Sequence, residues 1–459
     1  MGRTRPPSVA SARAPLPLPP APPVPARVRP PGPSARRDPP VSAAATPADA
    51  APAAAGTRTG AGPGFPVVAV VGGGQLARMM QPAAVELGVG LRVLATSAAE
   101  SAALAVPDVR LGAHTDLAAL RSVADGAAAL TFDHEHVPTE HLRALEVDGV
   151  AVRPGPAALV HAQDKLVMRR RLTDLGVPCP RWAPVDDVDA LVAFGDGDGD
   201  GDGGGGWPVV LKTPRGGYDG KGVRVLDDAA AARAAQDWFD AADGPLLVEE
   251  AVPFVRELAV LVARSPSGQA SAWPVVETVQ VGGVCSEVTA PAPGLDEDLA
   301  AEVVGTALRV AGELGVTGVL AVECFETADG RVLVNELAMR PHNSGHWTQD
   351  GAATSQFEQH LRAVLDLPLG SPRARARWTV MANVLGSTRG DRAAEDPEAM
   401  YRSYLHVMAS DPEVKVHLYG KGPRPGRKLG HVTAWGDDLE DVRSRARHAA
   451  AFVAGDIDE

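Results

Sequence analysis

Two apolar runs joined by a short turn constrain this chain more than any other stretch. Residues 320–325 and 331–337 each carry one acid among apolar neighbours, Glu323 and Glu336, with Thr327-Ala328-Asp329-Gly330 between them. An Asp-Gly pair in that setting predicts a β-hairpin. If Asp329 and Gly330 are the loop residues, Ala328 pairs with Arg331, and counting back sets Glu323 directly opposite Glu336. Side chains so opposed share one face, ~5 Å apart at Cβ. Two carboxylates there repel each other unless a cation lies between them, and a few oxygen ligands with room for water and phosphate suit Mg²⁺. The plainer alternative is two solvated acids on an exposed face, against which stand the apolar neighbours on both strands. Arg340-Pro341-His342-Asn343-Ser344-Gly345-His346 follows at once and is rich in anion and ligand binders.

The 459 residues suffice for two to four domains. A net charge of -13 argues against a non-specific nucleic-acid binder. No apolar run is long enough to span a membrane. Cys179, Cys285 and Cys324 lack metal-ligand spacing and read as reduced, small apolar residues of a cytoplasmic protein. Residues 1–63 are Pro- and Ala-rich, with eight Arg against two Asp, and cannot form a core. They read as a disordered tail or an over-extended start of translation, with an organelle transit peptide as the alternative. Arg36-Arg37 is not followed by the apolar segment a twin-arginine signal needs. Without the tail the remainder carries -19.

The folded part begins at Phe65. Residues 67–71 predict a buried strand, and Gly72-Gly73-Gly74-Gln75-Leu76-Ala77 turns into a helix, offering backbone N–H groups to a phosphate. The next strand, 91–94, ends in Ala95, Thr96 and Ser97 and not in the acid of a dinucleotide site, which excludes NAD. A third strand, 128–132, leads into Asp133-His134-Glu135-His136, read as a ligand-facing loop in preference to a metal site. Residues 161–175 predict a helix with Asp164, Lys165, Arg169, Arg170 and Arg171 on a solvated basic face. Residues 195–206 alternate Asp and Gly like an EF-hand loop, but Trp207 stands where the bidentate Glu is needed, so they read as a flexible insertion. The strand 209–212 ends in Lys212. Thr213-Pro214-Arg215-Gly216-Gly217-Tyr218-Asp219-Gly220-Lys221-Gly222 then forms a mobile loop able to close over polyphosphate, although it lacks the GK[ST] of a Walker loop. Strands at 223–226, 246–250 (ending in Glu249 and Glu250), 256–262, 379–385 and 415–418 and helices at 299–314, 355–364 and 402–409 follow. The loop 419–431 gathers Lys421, Arg424, Arg427 and Lys428 on an acidic background, as an anionic ligand would require.

A closing glycine loop, a preceding lysine, strand-end acids and paired glutamates resemble the ATP-grasp arrangement, in which two α/β lobes hold ATP and a carboxylate is activated as an acyl phosphate. Longer strings narrow the resemblance. GGGQLARM at Gly72, QDKLVMR at Gln163, RGGYDGKG at Arg215, AVECF at Ala321, the run from Asn335 to Ala363 and RPGRKLGH at Arg424 closely resemble the 5-(carboxyamino)imidazole ribonucleotide synthase family of purine biosynthesis. The implied fold is α/β. It has an N-terminal Rossmann-like (pre-ATP-grasp) domain at 64–160 and an ATP-grasp domain at 161–375, with a small lid at about 178–246. A small C-terminal β-rich domain follows at 376–459. The tail and the Asp/Gly insertion have no counterpart in the family pattern, and Asp133 stands where the family commonly has Glu, leaving its role open.

The resemblance implies carboxylation of the exocyclic amine of 5-aminoimidazole ribonucleotide by ATP and bicarbonate, through carboxyphosphate, in a homodimer with Mg²⁺ or Mn²⁺. Glu323 and Glu336 match the metal ligands and Lys212 the phosphate lysine. Lys165, Arg215, Gly216, Gly217, Tyr218, Asp219, Gly220, Lys221, Gly222, Glu249, Glu250, Glu257 and Asn335 fall at ATP-binding positions, Glu249 on the adenine and Glu257 on the ribose. Gly74, Gln75, Leu76, Glu135, Arg340, His342, Asn343 and Ser344 line the nucleotide and bicarbonate pocket, which Tyr218 and Asp219 also face. Lys421, Arg424, Arg427 and Lys428 hold the ribonucleotide phosphate. His342 is the candidate for taking the amine's proton, imidazole being suited to that task near neutral pH. The i, i+4 pair His342 and His346 has zinc-helix spacing but lacks the intervening Glu. The rival readings are another ATP-grasp enzyme, of biotin carboxylase or glycinamide ribonucleotide type, and a nucleotide-sensing protein on an inactive ATP-grasp scaffold.

Overall fold

A computed structural model describes residues 64–197, 206–217, 221–387 and 397–457. The tail 1–63, most of the Asp/Gly insertion and Tyr218, Asp219 and Gly220 lie outside the described residues. Four short strands open the fold: β1 (Val67–Val71), β2 (Gly90–Ala95), β3 (Asp108–Leu111) and β4 (Ala129–Phe132). They form a parallel sheet in the order β3-β2-β1-β4. Continuous apolar runs such as VVAVV belong in a parallel sheet covered on both faces, and four of the five β1 residues are buried. The helix Gln75–Leu87 starts at the end of β1 and is closed by Gly88 at φ 71°.

A second sheet is antiparallel, in the order β5-β8-β6-β7: β5 (Trp182–Val185), β6 (Val209–Lys212), β7 (Val223–Leu226) and β8 (Leu246–Glu250). It has its own core around Leu191, Phe194, Leu211 and Val248. The third sheet runs β14-β13-β9-β11-β12-β15-β17-β16. Its strands are β9 (Phe254–Arg264), β10 (Ala270–Ala272, on β9), β11 (Val276–Val281), β12 (Val284–Ala290), β13 (Gly318–Thr327), β14 (Val332–Ala338), β15 (Trp378–Leu385), β16 (Lys415–Leu418) and β17 (Lys428–Gly436). The C-terminal strands continue this sheet through β12–β15 pairing, so one hydrogen-bonded surface carries both the hairpin and β17. The helix Glu297–Glu313, capped by Asp296 on the amides of Asp298 and Leu299, covers it with Val303, Ala307 and Val310.

Three local expectations are corrected. The helix expected over 161–175 is two helices, Pro156–Gln163 and Lys165–Asp174. They are separated at Asp164, whose side chain accepts from Leu166 and Val167 and starts the second. Its face is not simply solvated, since the Arg169 side chain is 0% exposed. Lys428, expected in a loop, opens strand β17.

The hairpin has the expected acid pair by an unexpected route. Thr327 N–H donates to the Arg331 carbonyl (2.9 Å), which leaves three loop residues, with Gly330 at φ 79°. Pairing therefore starts one residue out of the expected register, Glu326 opposite Val332 and Cys324 opposite Val334. A bulge at Asn335 then restores it, and Glu323 faces Glu336.

Candidate active site

One cleft of about 1120 Å³ lies between the three sheets. The hairpin supplies Glu323, Asn335 and Glu336 to its wall. Strands β6 and β8 bring Lys212, Glu249 and Glu250, β9 brings Glu257, and the glycine loop brings Arg215, Gly216 and Gly217. The helix start supplies Lys165, and the β1 and β4 ends supply Gln75, Leu76 and Glu135. The segment after β14 gives Arg340, His342 and Asn343, and β17 gives Lys428. Residues separated by more than 300 positions thus meet around one space.

Charge is organised in pairs. Lys212 Nζ lies 2.5 Å from Glu249 Oε2 and 3.3 Å from Asn335 Oδ1. Arg169 Nε bonds the other Glu249 oxygen, while its guanidinium donates to the carbonyls of Val334 (3.0 Å) and Asn335 (2.7 Å). One buried arginine therefore clamps the adjacent strand and the bulge together. Burial would raise the Glu249 pKa, but the Arg169 and Lys212 charges outweigh it and hold the group below its ordinary value. Lys165 Nζ reaches Glu336 at 3.1 Å, and Arg215 Nε reaches Asp164 at 2.9 Å. Glu250 accepts from the Arg181 amide at 3.0 Å. Burial and then the Glu323 charge push Glu257 up to about 7.

On the opposite wall Glu135 accepts from Arg340 Nε (2.8 Å) and the Met339 amide (3.3 Å). Burial works against ionisation there, and the Arg340 charge wins, leaving the Glu135 pKa low. His342 Nε2 lies 3.0 Å from Glu323 Oε1, and its Nδ1 is 2.9 Å from Ser344 Oγ. Burial alone would raise Glu323, but the His342 hydrogen bond and charge bring it below its ordinary value. Lys421 Nζ bonds Gln75 Oε1, joining the C-terminal loop to the N-terminal sheet.

Not every expected residue faces the cleft. Gly74 and Ala77 donate their amides to the Asp133 carboxylate (3.0 and 2.8 Å), and a Cβ on Gly74 would lie 2.0 Å from Asp133 Oδ2. The glycine loop therefore does not hold those two amides open for a phosphate. Asp133 occupies the helix N-terminus, which gives this shortened acid a structural position. Ser344 is buried behind His342. Gly222 closes the base of the glycine loop, its carbonyl accepting from Thr213 N (3.0 Å), while Lys221 and Arg424 are exposed. Arg427 donates to the Gly422 carbonyl (3.1 Å). His342 and His346 do not form a zinc pair: a 3₁₀ turn separates them, and His346 bonds Gln356 instead. The sequence reading missed the buried clamp at Arg169. One basic residue among four on a helix gives no sign of a partner carboxylate 80 positions away.

Glu323 and Glu336 are the residues that could hold a cation. Their side chains are 32% and 43% exposed, and both offer oxygen only. Among the described residues no third His, Cys, Asp or Glu completes a metal-holding group. Such an open pair leaves coordination positions to water and phosphate, which fits Mg²⁺ better than a protein-enclosed ion.

The cleft between a small antiparallel lobe and a large antiparallel sheet, with opposed acids and a strand lysine, defines an ATP-grasp protein. Family models agree: the ATP-grasp domain matches residues 170–357, the ribonucleotide synthetase preATP-grasp domain 66–163, and the phosphoribosylaminoimidazole carboxylase C-terminal domain 379–445. The chain is 56% identical over 407 residues to the N5-carboxyaminoimidazole ribonucleotide synthase of Mycobacterium tuberculosis, covering 88% of this chain and 91% of that one. It is similar to the crystal structure of the Thermus thermophilus synthetase (TM-score 0.72, 35% identity, 85% of this chain and 99% of that one). It is also similar to the Aspergillus clavatus synthase in complex with ADP and 5-aminoimidazole ribonucleotide (TM-score 0.74, 28% identity, 85% and 98%). The chain belongs to the N5-carboxyaminoimidazole ribonucleotide synthase family. None of the helices among the described residues is long and apolar enough to cross a membrane.

Proposed function

We propose that this protein is an ATP-dependent ligase that carboxylates the exocyclic amine of 5-aminoimidazole ribonucleotide, with bicarbonate as the carbon source, in purine biosynthesis. The observation that carries the reading is the convergence of the Glu323–Glu336 pair, Lys212 and the Arg340–Asn343 segment on one cleft. Family membership supplies the substrate. Glu323 and Glu336 would hold Mg²⁺, which when bound neutralises charge developing on the phosphoryl oxygens.

Both cleft lysines already have acidic partners: Lys212 has Glu249 and Lys165 has Glu336. Binding ATP exchanges these partners for phosphate, so the lysines are prepositioned without being left unpaired in a buried space. Lys212 and Lys165 then hold the phosphates, and Glu249 and Glu257 take the adenine amine and ribose hydroxyls. Arg215, Gly216 and Gly217 at the cleft wall would help keep water from the phosphates. A bicarbonate oxygen attacks the γ-phosphorus and the bond to ADP breaks, giving carboxyphosphate. Its collapse yields CO₂ and phosphate beside the amine. The amine nitrogen bonds the carbon and loses one proton, for which the His342 ring is the candidate acceptor. Lys421, Arg424, Arg427 and Lys428 bind the ribonucleotide phosphate, and Gln75, Glu135 and Arg340 its imidazole side.

The test is transfer of label from ¹³C-bicarbonate into an acid-labile carbamate. Label should appear only when ATP and 5-aminoimidazole ribonucleotide are both present. Label transfer to biotin instead, or phosphorylation of glycinamide ribonucleotide precursors, would leave the ATP-grasp class and remove the substrate assignment.

A further inference from the structure

The loop between β16 and β17 carries Lys421, Arg424 and Arg427. Cations so close in sequence repel one another while no anion lies among them. Burial, and then the Arg424 charge, lower the Arg427 pKa. Such a loop needs anchors, and its two halves are anchored differently. The half after Gly422 is tied to its own end of the chain. Arg427 Nη1 donates to the Gly422 carbonyl (3.1 Å), the Gly386 amide donates to the Arg427 carbonyl (2.8 Å), and the Gly426 amide donates to the Gly386 carbonyl (2.9 Å).

The half before Gly422 is tied to the N-terminal sheet instead. Ser101 lies buried in the connection from β2 to β3, and its Oγ donates to the Tyr419 carbonyl at 2.6 Å. Arg78 Nη1 donates to the Ser101 carbonyl at 3.0 Å. The same guanidinium flanks Gly420, which sits at φ 66°; a Cβ there would lie 3.1 Å from Arg78 Nη1. Lys421 Nζ then bonds Gln75 Oε1. Gln75 and Arg78 are three positions apart at the start of one helix, so a single turn meets two consecutive loop residues. The Ala102 amide donates to the Gly73 carbonyl (2.8 Å), which joins the Ser101 segment to the glycine turn before this helix. Tyr419 is also fixed from the other side, where its hydroxyl lies 2.8 Å from His431 Nδ1.

We infer that Ser101 and Arg78 are positioning residues for the ribonucleotide: they latch the Tyr419–Lys421 end of the cationic loop onto the Gln75 helix, and so set where the phosphate is held relative to the imidazole. The inference rests on the carboxylation reading above, in which Lys421, Arg424 and Arg427 bind that phosphate and Gln75 meets the imidazole side. Neither Ser101 nor Arg78 lines the cleft, so both act through Tyr419, Gly420 and Lys421. The two ends of the ribonucleotide are met by parts of the chain 346 positions apart, and the latch is what holds their spacing. Ordering the loop before the ligand arrives also lowers the ordering cost of binding.

The test is steady-state kinetics of the full chain carrying Ser101→Ala, Arg78→Met or Arg78→Lys, with Mg²⁺, ATP and bicarbonate. Ribose 5-phosphate serves as a competitive probe of the phosphate end, and thermal melts as a control. Ser101→Ala and Arg78→Met should each raise the KM for 5-aminoimidazole ribonucleotide about three- to tenfold, the worth of one net hydrogen bond. The Ki for ribose 5-phosphate should rise by the same factor, while kcat and the KM for ATP stay within about twofold of wild type. Arg78→Lys, which keeps a donor for the Ser101 carbonyl, should recover part of the loss. An unchanged ribonucleotide KM in both Ser101→Ala and Arg78→Met would overturn the latch. So would a raised KM with an unchanged Ki for ribose 5-phosphate, or a parallel rise in the KM for ATP with a lowered melting point. A wild-type enzyme that ribose 5-phosphate does not inhibit, or whose ADP release ignores the ribonucleotide, would instead remove the reading of loop and substrate on which the latch rests.

Discussion

Replacing Arg169 with Met is the sharpest test of how this cleft is built. The side chain is 0% exposed, pairs with Glu249, and donates to two carbonyls of β14, one of them at the bulge that realigns Glu336. Removing one partner of a buried pair costs about 3–5 kcal/mol. Lys212 remains 2.5 Å from Glu249, which places the loss at the lower end, but the carbonyls of Val334 and Asn335 lose their donors and add about 1 kcal/mol or more each. The net expectation is a loss of about 3–5 kcal/mol, read as a lowered urea midpoint at pH 7. Arg169→Lys keeps the charge but cannot fork to three acceptors, so it should fall between wild type and Met. Because the folded Glu249 pKa is depressed, the pair's contribution is present above the ordinary glutamate range. It fades as pH falls through the folded value. The gap between wild type and Met should therefore hold at pH 7 and narrow in acid. A loss under about 1 kcal/mol, or a gap that widens in acid, would refute the clamp.

Two further outcomes follow from the same geometry. Gly345→Ala would set a Cβ 2.3 Å from Leu261 Cδ2 and 2.5 Å from Gln356 Oε1. It should cost about 1–3 kcal/mol by overpacking and lower the melting point, and an unchanged melt would mean the turn yields freely. Glu257, with its folded pKa raised to about 7, contributes stability below the unfolded glutamate pKa that is lost as pH rises through about 7. Without nucleotide or metal, the wild-type melting point should thus drop more between pH 6 and 8 than that of Glu257→Gln, and parallel curves would contradict this.

Local pattern was enough for most strands, because short apolar runs bounded by Gly and Pro have few alternatives. Residues 209–212 and 415–418 are strands over the expected limits. The Glu323–Glu336 pairing was anticipated, yet the count behind it held only because a longer turn and the bulge at Asn335 offset each other. Bulges depend on what the neighbouring strand and helix require, here the Arg169 clamp, and periodicity does not record that. Asp133 illustrates the same limit. Its capping of Gly74 and Ala77 joins residues 56 to 59 positions apart, so the glycine motif alone suggested an open phosphate site. The C-terminal domain expected from the resemblance matches a family model of its own, while the β12–β15 pairing by which its strands also continue the central sheet was not legible in the sequence. The i, i+4 spacing of His342 and His346 suggested only a metal pair to be rejected, and gave no sign that His346 Nδ1 would lie 2.9 Å from Gln356 Nε2.

The central claim is that one cleft couples ATP cleavage to the ribonucleotide through the opposed glutamates. The most direct measurement is ADP release by the full chain with Mg²⁺ and bicarbonate, with and without 5-aminoimidazole ribonucleotide, for wild type and Glu336→Gln. The ribonucleotide should strongly stimulate release in wild type, and the stimulation should be lost in the variant. ADP release indifferent to the ribonucleotide, or undiminished in Glu336→Gln, would contradict the claim.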